Sequence, residues 1–177
     1  MYYTTQYFSL SLLFLAINVT LFFSGYVQAV KPLPTGTNPF CNTADFKPLC
    51  NRMVRGAKTL DEATANAIKS TLEVVKGAKP KLRILEPAVA KLKRPVTKKA
   101  MKGTCQESFN NVVSNLEGAL KDLKSGDKYS VNDRLSAATL DDCNDAFAES
   151  GKKSPLAGFG GDLRMYVSNC LAVTQQK

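Results

Sequence analysis

Thr97–Lys124, TKKAMKGTCQESFNNVVSNLEGALKDLK, carries Met101, Cys105, Phe109, Val112, Leu116, Leu120 and Leu123 at steps of three and four residues. Such steps return to one side of a helix with 3.6 residues per turn, so the stretch predicts a long amphipathic helix. KSGDK (124–128) stops it, with Gly126 suited to the left-handed position past a helix end. Downstream, Ser130 and Asp133 stand at capping spacing, and a third helix is expected from there through Leu135, Ala138, Cys143 and Phe147. ESGKKSPLAGFGG (149–161) reads as loop. A last helix takes Leu163, Val167, Cys170 and Leu171 inward.

Upstream, TLDEATANAIKSTLEVVKGAK (59–79) opens with Thr59 and Glu62 at capping-box spacing. Leu60, Ala63, Ala67, Leu72, Val75 and Ala78 follow one helical stripe. Pro80 and Pro87 interrupt the continuation, yet Leu82, Leu85, Val89 and Leu92 keep its period. A long helix kinked at one or both prolines is expected, with a break into two helices as the alternative, and Pro95 ends it. From Thr59 onward no convincing two-residue alternation marks a strand. Four striped helices with short connections predict an all-α, up-and-down four-helix bundle.

No charged residue precedes Lys31, and the stretch has an apolar centre from about residue 8 to residue 23. Val27 and Ala29 sit at the −3 and −1 positions of a small-residue cleavage site, so residues 1–29 read as a secretory signal. A retained membrane anchor is the competing reading; Asn18, Thr20 and the Ser24-Gly25 pair argue against it. The sequon Asn18-Val19-Thr20 would leave with the signal. Residues 30–177 then form one domain with a real core.

That domain contains all five cysteines, Cys41, Cys50, Cys105, Cys143 and Cys170, which in an oxidising compartment suggests two bridges and one thiol left over. In PFCNTADFKPLC (39–50), Cys41 and Cys50 raise three candidates: a metal site, a redox pair or a staple. The chain has no histidine and no Cys-x-x-Cys, which argues against metal and redox and leaves a staple. Cys105 and Cys143 fall on interior stripes, where a bridge would pin two antiparallel neighbours. Cys170 reads as a small buried apolar residue with a shielded thiol.

The missing histidine also excludes Ser-His-Asp and Cys-His catalysis. DDCND, with Asp141, Asp142 and Asp145, matches a magnesium–diphosphate pattern of adjacent carboxylates. Cys143 is committed inside it, the chain is too short for such an enzyme, and no second acidic set follows, so it reads as a solvated face. GFGG (158–161) lacks the Lys-Ser/Thr of a phosphate loop and reads as flexible connection. No metal or cofactor is implied.

Charge is segregated under the net +9. Lys76–Lys102 holds ten Lys or Arg against one acid, Glu86, whereas Gly103–Ser150 holds nine acids against four bases. A basic run can be a solvated helix surface or can attract an acidic polymer or protein. Nucleic acid drops out as a partner for a secreted chain.

CNTADFKPLC (41–50), TCQESFNNVVSNLEGALKDLKSGD (104–127), RLSAATLDDCNDAF (134–147) and LRMYVSNCLAV (163–173) together resemble the plant invertase and pectin methylesterase inhibitors. The resemblance spans residues 38–173. It implies a four-helix bundle, about 59–175, with a small helical hairpin in front, about 38–58. In that family the first two cysteines close the hairpin and the next two join the second and third bundle helices, which carries onto Cys41–Cys50 and Cys105–Cys143. No role carries onto Cys170.

The resemblance further implies a protein without catalysis of its own that fills the cleft of a wall enzyme in a 1:1 complex. Invertase inhibitors place a Pro-Lys-Phe tripeptide after the glycine that ends the second helix. Here GDKYS (126–130) supplies Lys128 and Tyr129 but no proline, which leans the reading towards pectin methylesterase over acid invertase. Lys128, Tyr129 and Asn132 are the expected partner contacts. Lys91, Lys93, Arg94, Lys98 and Lys99 are the expected contacts to acidic pectin. The implied location is the apoplast or cell wall, with no membrane partner after signal cleavage. Two rival classes are a carrier of apolar ligands and a cationic antimicrobial protein.

Overall fold

A computed structural model describes residues 38–176. The proposed signal and its cleavage site lie outside these residues. The described chain is helical, with no strands. A 3-10 turn at Pro39–Cys41 and helix α1 (Lys47–Met53) make the front hairpin. Then come α2 (Leu60–Ala78), a 3-10 segment (Lys79–Ile84), α3 (Leu85–Ala90) and α4 (Pro95–Lys124). The chain finishes with α5 (Lys128–Ser136), α6 (Asp141–Glu149) and α7 (Ala157–Thr174). α2, α4, the α5–α6 pair and α7 are the four arms of the bundle: α2 packs on α4 and α7, and α4 on α5 and α6.

Thr59 caps α2 by accepting the Glu62 amide at 3.2 Å, while the Glu62 carboxylate takes the Lys58 amide at 2.7 Å. The first bond satisfies a donor that a helix start leaves free, and the second ties the residue ahead of the cap to the first turn. The first arm is neither kinked nor cleanly split. Pro80 lacks an amide, and the helix gives way there to the 3-10 segment. Pro87 falls in the first turn of α3, where proline is tolerated. Pro95 does not end this arm: α3 stops at Ala90, and Pro95 is the first residue of α4, ahead of the expected Thr97.

The third arm departs from its expected form in two ways. Asp127, not Ser130, is its N-cap, accepting the Ser130 amide at 3.0 Å. It is also interrupted between Ser136 and Asp141, where Ala138 and Leu140 stay buried. α4 takes up the carbonyls freed by the break: Asn115 Nδ2 donates to Ala137 O (3.3 Å) and Ser108 Oγ to Thr139 O (3.5 Å). Gly158–Gly161 is the first turn of α7, not a flexible loop. Gly160 is buried, and a Cβ there would stand 3.2 Å from Asn144 Nδ2, so this glycine serves a close approach of two helices.

Two apolar clusters fill the interior. The larger joins α1, α2, α4, α5 and α7 around Ile68, Phe109, Leu116, Leu135 and Leu163. The smaller gathers Leu85, Val89, Met101, Phe147 and Leu156 around the Cys105–Cys143 disulfide, whose Cα atoms are 4.4 Å apart. Cys41–Cys50 closes the hairpin with Cα atoms 5.8 Å apart. Both spacings suit a bridge. Asn169 of α7, fully buried, holds the hairpin to the bundle: its Oδ1 accepts the Phe46 amide (3.3 Å) and its Nδ2 donates to the Phe46 carbonyl (3.2 Å).

Candidate binding faces

α4 is 30 residues long, about 45 Å at 1.5 Å per residue, and a distinct surface lies at each end. At its C-terminal end Gly126 adopts φ +78, a conformation a side chain would strain, and turns the chain into α5. Asp127 then caps α5, its carboxylate accepting the Ser130 hydroxyl at 2.7 Å as well as the Ser130 amide. The hydroxyl bond above all, then the amide bond, holds its carboxyl below the ordinary value of 3.8.

On this capped first turn Lys128 is exposed and Tyr129 is 83% exposed. Asn132 lies one turn further and is half-buried; its Oδ1 accepts the Thr174 hydroxyl at 2.6 Å, which ties it to α7. The three expected partner contacts are therefore neighbours, but two are free and one is engaged. The turn itself is braced by an Arg134–Asp122 ion pair between α5 and α4. Gly118 makes room for that pair, since a Cβ there would fall 2.7 Å from the Arg134 guanidinium.

At the N-terminal end of α4, Lys91, Lys93, Arg94 and Lys99 are exposed. Lys98 is not free in the same way: it is half-buried, and its ammonium donates to the Ala90 carbonyl at 2.9 Å, closing the last turn of α3. Lys102 pairs with Glu86, the single acid of the basic run.

Asp141 of DDCND pairs with Arg164 of α7, and Asp142 and Asp145 face solvent. Cys170 is fully buried. The Thr71 hydroxyl donates to Ala67 O (2.9 Å) and lies 3.3 Å from the Cys170 sulfur. Burial pushes this thiol up to about 12, with the Thr71 bond opposing slightly. A thiol so poised is protonated and unreactive near neutrality. Sequence reasoning missed Asn169; its one visible sign is an amide between Val167 and Cys170, on a stripe otherwise apolar.

The depression lined by Leu60, Thr64, Leu123, Lys128, Val131 and Thr174 holds about 10 Å³, room for one water and not for a lipid-sized ligand. Among the described residues no helix is long and apolar enough to cross a membrane.

A sequence profile described as plant invertase/pectin methylesterase inhibitor matches residues 37–173. A crystal structure of mutant form A of a pectin methylesterase inhibitor from Arabidopsis is similar at 19% identity, covering 78% of this chain and 94% of that one, with a TM-score of 0.55. A second, of a pectin methylesterase inhibitor from Arabidopsis thaliana, is similar at 20% identity over 77% and 91% of the two chains, with a TM-score of 0.51. No curated protein matches the chain.

Proposed function

This chain belongs to the plant invertase/pectin methylesterase inhibitor family, and on that premise we propose that it is a secreted inhibitor of pectin methylesterase in the cell wall. It acts without chemistry of its own, by occupying the enzyme's cleft in a 1:1 complex. The observation that carries the reading is the Lys128–Tyr129 pair, exposed on a turn that Gly126, Asp127 and the Arg134–Asp122 ion pair hold fixed. A stiff aromatic beside a lysine suits a cleft bearing carboxylates: the ring supplies area at low entropic cost and the ammonium favours correct docking. Because the turn is already ordered, little freedom is lost on binding.

Acid invertase is the second reading, favoured by the placing of Lys128-Tyr129 where that branch of the family has Lys-Phe. Asp127 stands at the position of the missing proline, and its capping bonds to Ser130 set the turn in another way. Titrating the refolded protein into purified pectin methylesterase and into acid invertase separates the two. Stoichiometric loss of esterase activity alone is the expected result; loss of invertase activity alone reverses the target.

A further inference from the structure

The ten bases of Lys76–Lys102 do not form one uniform surface. Lys76 pairs with Glu117 at 2.7 Å, Lys102 with Glu86, and Lys98 is spent on the Ala90 carbonyl. The Lys81 ammonium sits over the Phe159 ring, 5.3 Å from its centre. What remains at the α3–α4 corner is Lys91, Lys93, Arg94 and Lys99, exposed and without an ion pair among the described residues. Lys98, by fastening α3 to α4, holds that corner in shape.

We propose that this corner binds a linear polycarboxylate, namely the de-esterified pectin that a pectin methylesterase leaves behind; the choice of polymer rests on the target proposed above. Four cations fall within nine residues, and the start of α4 adds the partial positive charge of its unpaired amides, since Arg94 offers no side-chain cap. Beside them Pro95, Val96, Lys99 and Ala100 line a shallow apolar depression, with Val96 82% exposed. Cations next to a small apolar surface match a sugar acid, which presents carboxylates beside C–H faces. Nucleic acid in single strands is held by aromatic stacking, and Lys91–Met101 contains no aromatic residue. A lipid surface needs several large apolar anchors, and this corner offers Val96 alone. The site also lies at the opposite end of α4 from Lys128–Tyr129, a helix about 45 Å long. Polymer and enzyme can therefore be held at once.

The test is retention of the full inhibitor domain on immobilised polygalacturonate, on highly methyl-esterified pectin and on phosphatidylserine vesicles. Retention is expected on polygalacturonate only. Its affinity should fall at least tenfold between 0.05 and 0.2 M salt; four charges on single-stranded nucleic acid would give about fiftyfold, and a galacturonan is less densely charged. Lys91→Ser with Lys93→Ser and Arg94→Ser should reduce retention tenfold or more, whereas Lys121→Ser with Lys124→Ser, at the far end of α4, should not. Both variants should keep the wild-type melting temperature, as all five side chains are exposed. Equal retention on methyl-esterified pectin, tighter binding to the vesicles, persistence in high salt, or an unchanged triple variant would each overturn the proposal. Calorimetry of the triple variant with purified esterase, no pectin present, reads the enzyme contact separately: a failure there counts against the proposed target, not against this corner.

Discussion

Replacing Lys128 and Tyr129 together by alanine should cripple inhibition and leave the fold untouched. A tyrosine side chain offers roughly 150–250 Å². With Tyr129 83% exposed, about 165 Å² remains for a partner to cover. At about 25 cal/mol per Å² that burial contributes about 4 kcal/mol, and ordering the side chain costs about 1 kcal/mol. The remainder, about 3 kcal/mol, corresponds to about a hundredfold in affinity. Loss of the Lys128 charge adds to it, so thirtyfold is a lower bound at the usual size of an interface anchor, about 2 kcal/mol. Steady-state inhibition of pectin methylesterase gives the affinity, and far-UV circular dichroism with a melt gives the fold. Neither side chain is buried or part of the Asp127–Ser130 cap, so helical content and melting temperature should be unchanged. Lys152 and Lys153, exposed in the α6–α7 connection, are the control pair, and their loss should cost a few-fold at most. Inhibition that survives the double substitution, in a protein still folded, would refute the reasoning and put the contact elsewhere on the bundle.

Native protein should react negligibly with a thiol reagent at pH 8 and take up one equivalent per chain once denatured, because the Cys170 thiol is buried and pushed up to about 12; more than one equivalent without reductant would mean an open disulfide. Cys105→Ala with Cys143→Ala frees a loop of 38 residues and should lower unfolding stability by about 4 kcal/mol in urea titrations, whereas the nine-residue separation of Cys41–Cys50 is worth about 2.7 kcal/mol. The Asp127 carboxyl is held below 3.8 in the folded state, so its capping contribution is complete above that value and disappears as pH falls through the lowered one. NMR should show the Ser130 amide losing protection in that acid window, and Asp127→Ala should abolish the pH dependence.

How much of this was legible in the sequence follows from where local chemistry and long-range packing agree. Thr59 and Glu62 announced a cap because both partners lie within one turn, and the stripe from Met101 to Leu123 announced α4 because its period is local. Gly158–Gly161 misled for the opposite reason. Glycines signal flexibility locally, yet Gly160 answers to Asn144 of α6 and to Leu140 just ahead of it, a demand that no short window contains. The interruption at Ala137–Leu140 was hidden likewise, since part of its support comes from Asn115 and Ser108 of α4, which donate to the Ala137 and Thr139 carbonyls. At the candidate faces, residue type picked out two largely exposed neighbourhoods. It did not separate the free Lys91, Lys93, Arg94 and Lys99 from Lys98, whose ammonium is occupied, nor Tyr129 from Asn132, tied to Thr174.

The two-ended arrangement has a consequence that neither end has alone. A pectin methylesterase turns methyl esters into carboxylates, so the polymer gains negative charge where the enzyme has worked. An inhibitor whose basic corner prefers that product would gather beside the enzyme in proportion to its output, at an effective concentration set by the polymer and not by the surrounding solution. The attraction acts over a screening length of about 8 Å at physiological salt, far less than the length of α4, so the corner can hold the polymer without pulling the Lys128–Tyr129 turn onto it. Gly103–Ser150 holds nine acids against four bases, and although Glu117, Asp122 and Asp141 are ion-paired, that stretch attracts a polyanion less than the α3–α4 corner does. Inhibition measured on an immobilised pectin should accordingly strengthen as de-esterification proceeds, and the Lys91, Lys93 and Arg94 triple variant should lose that strengthening while inhibiting equally well at the start.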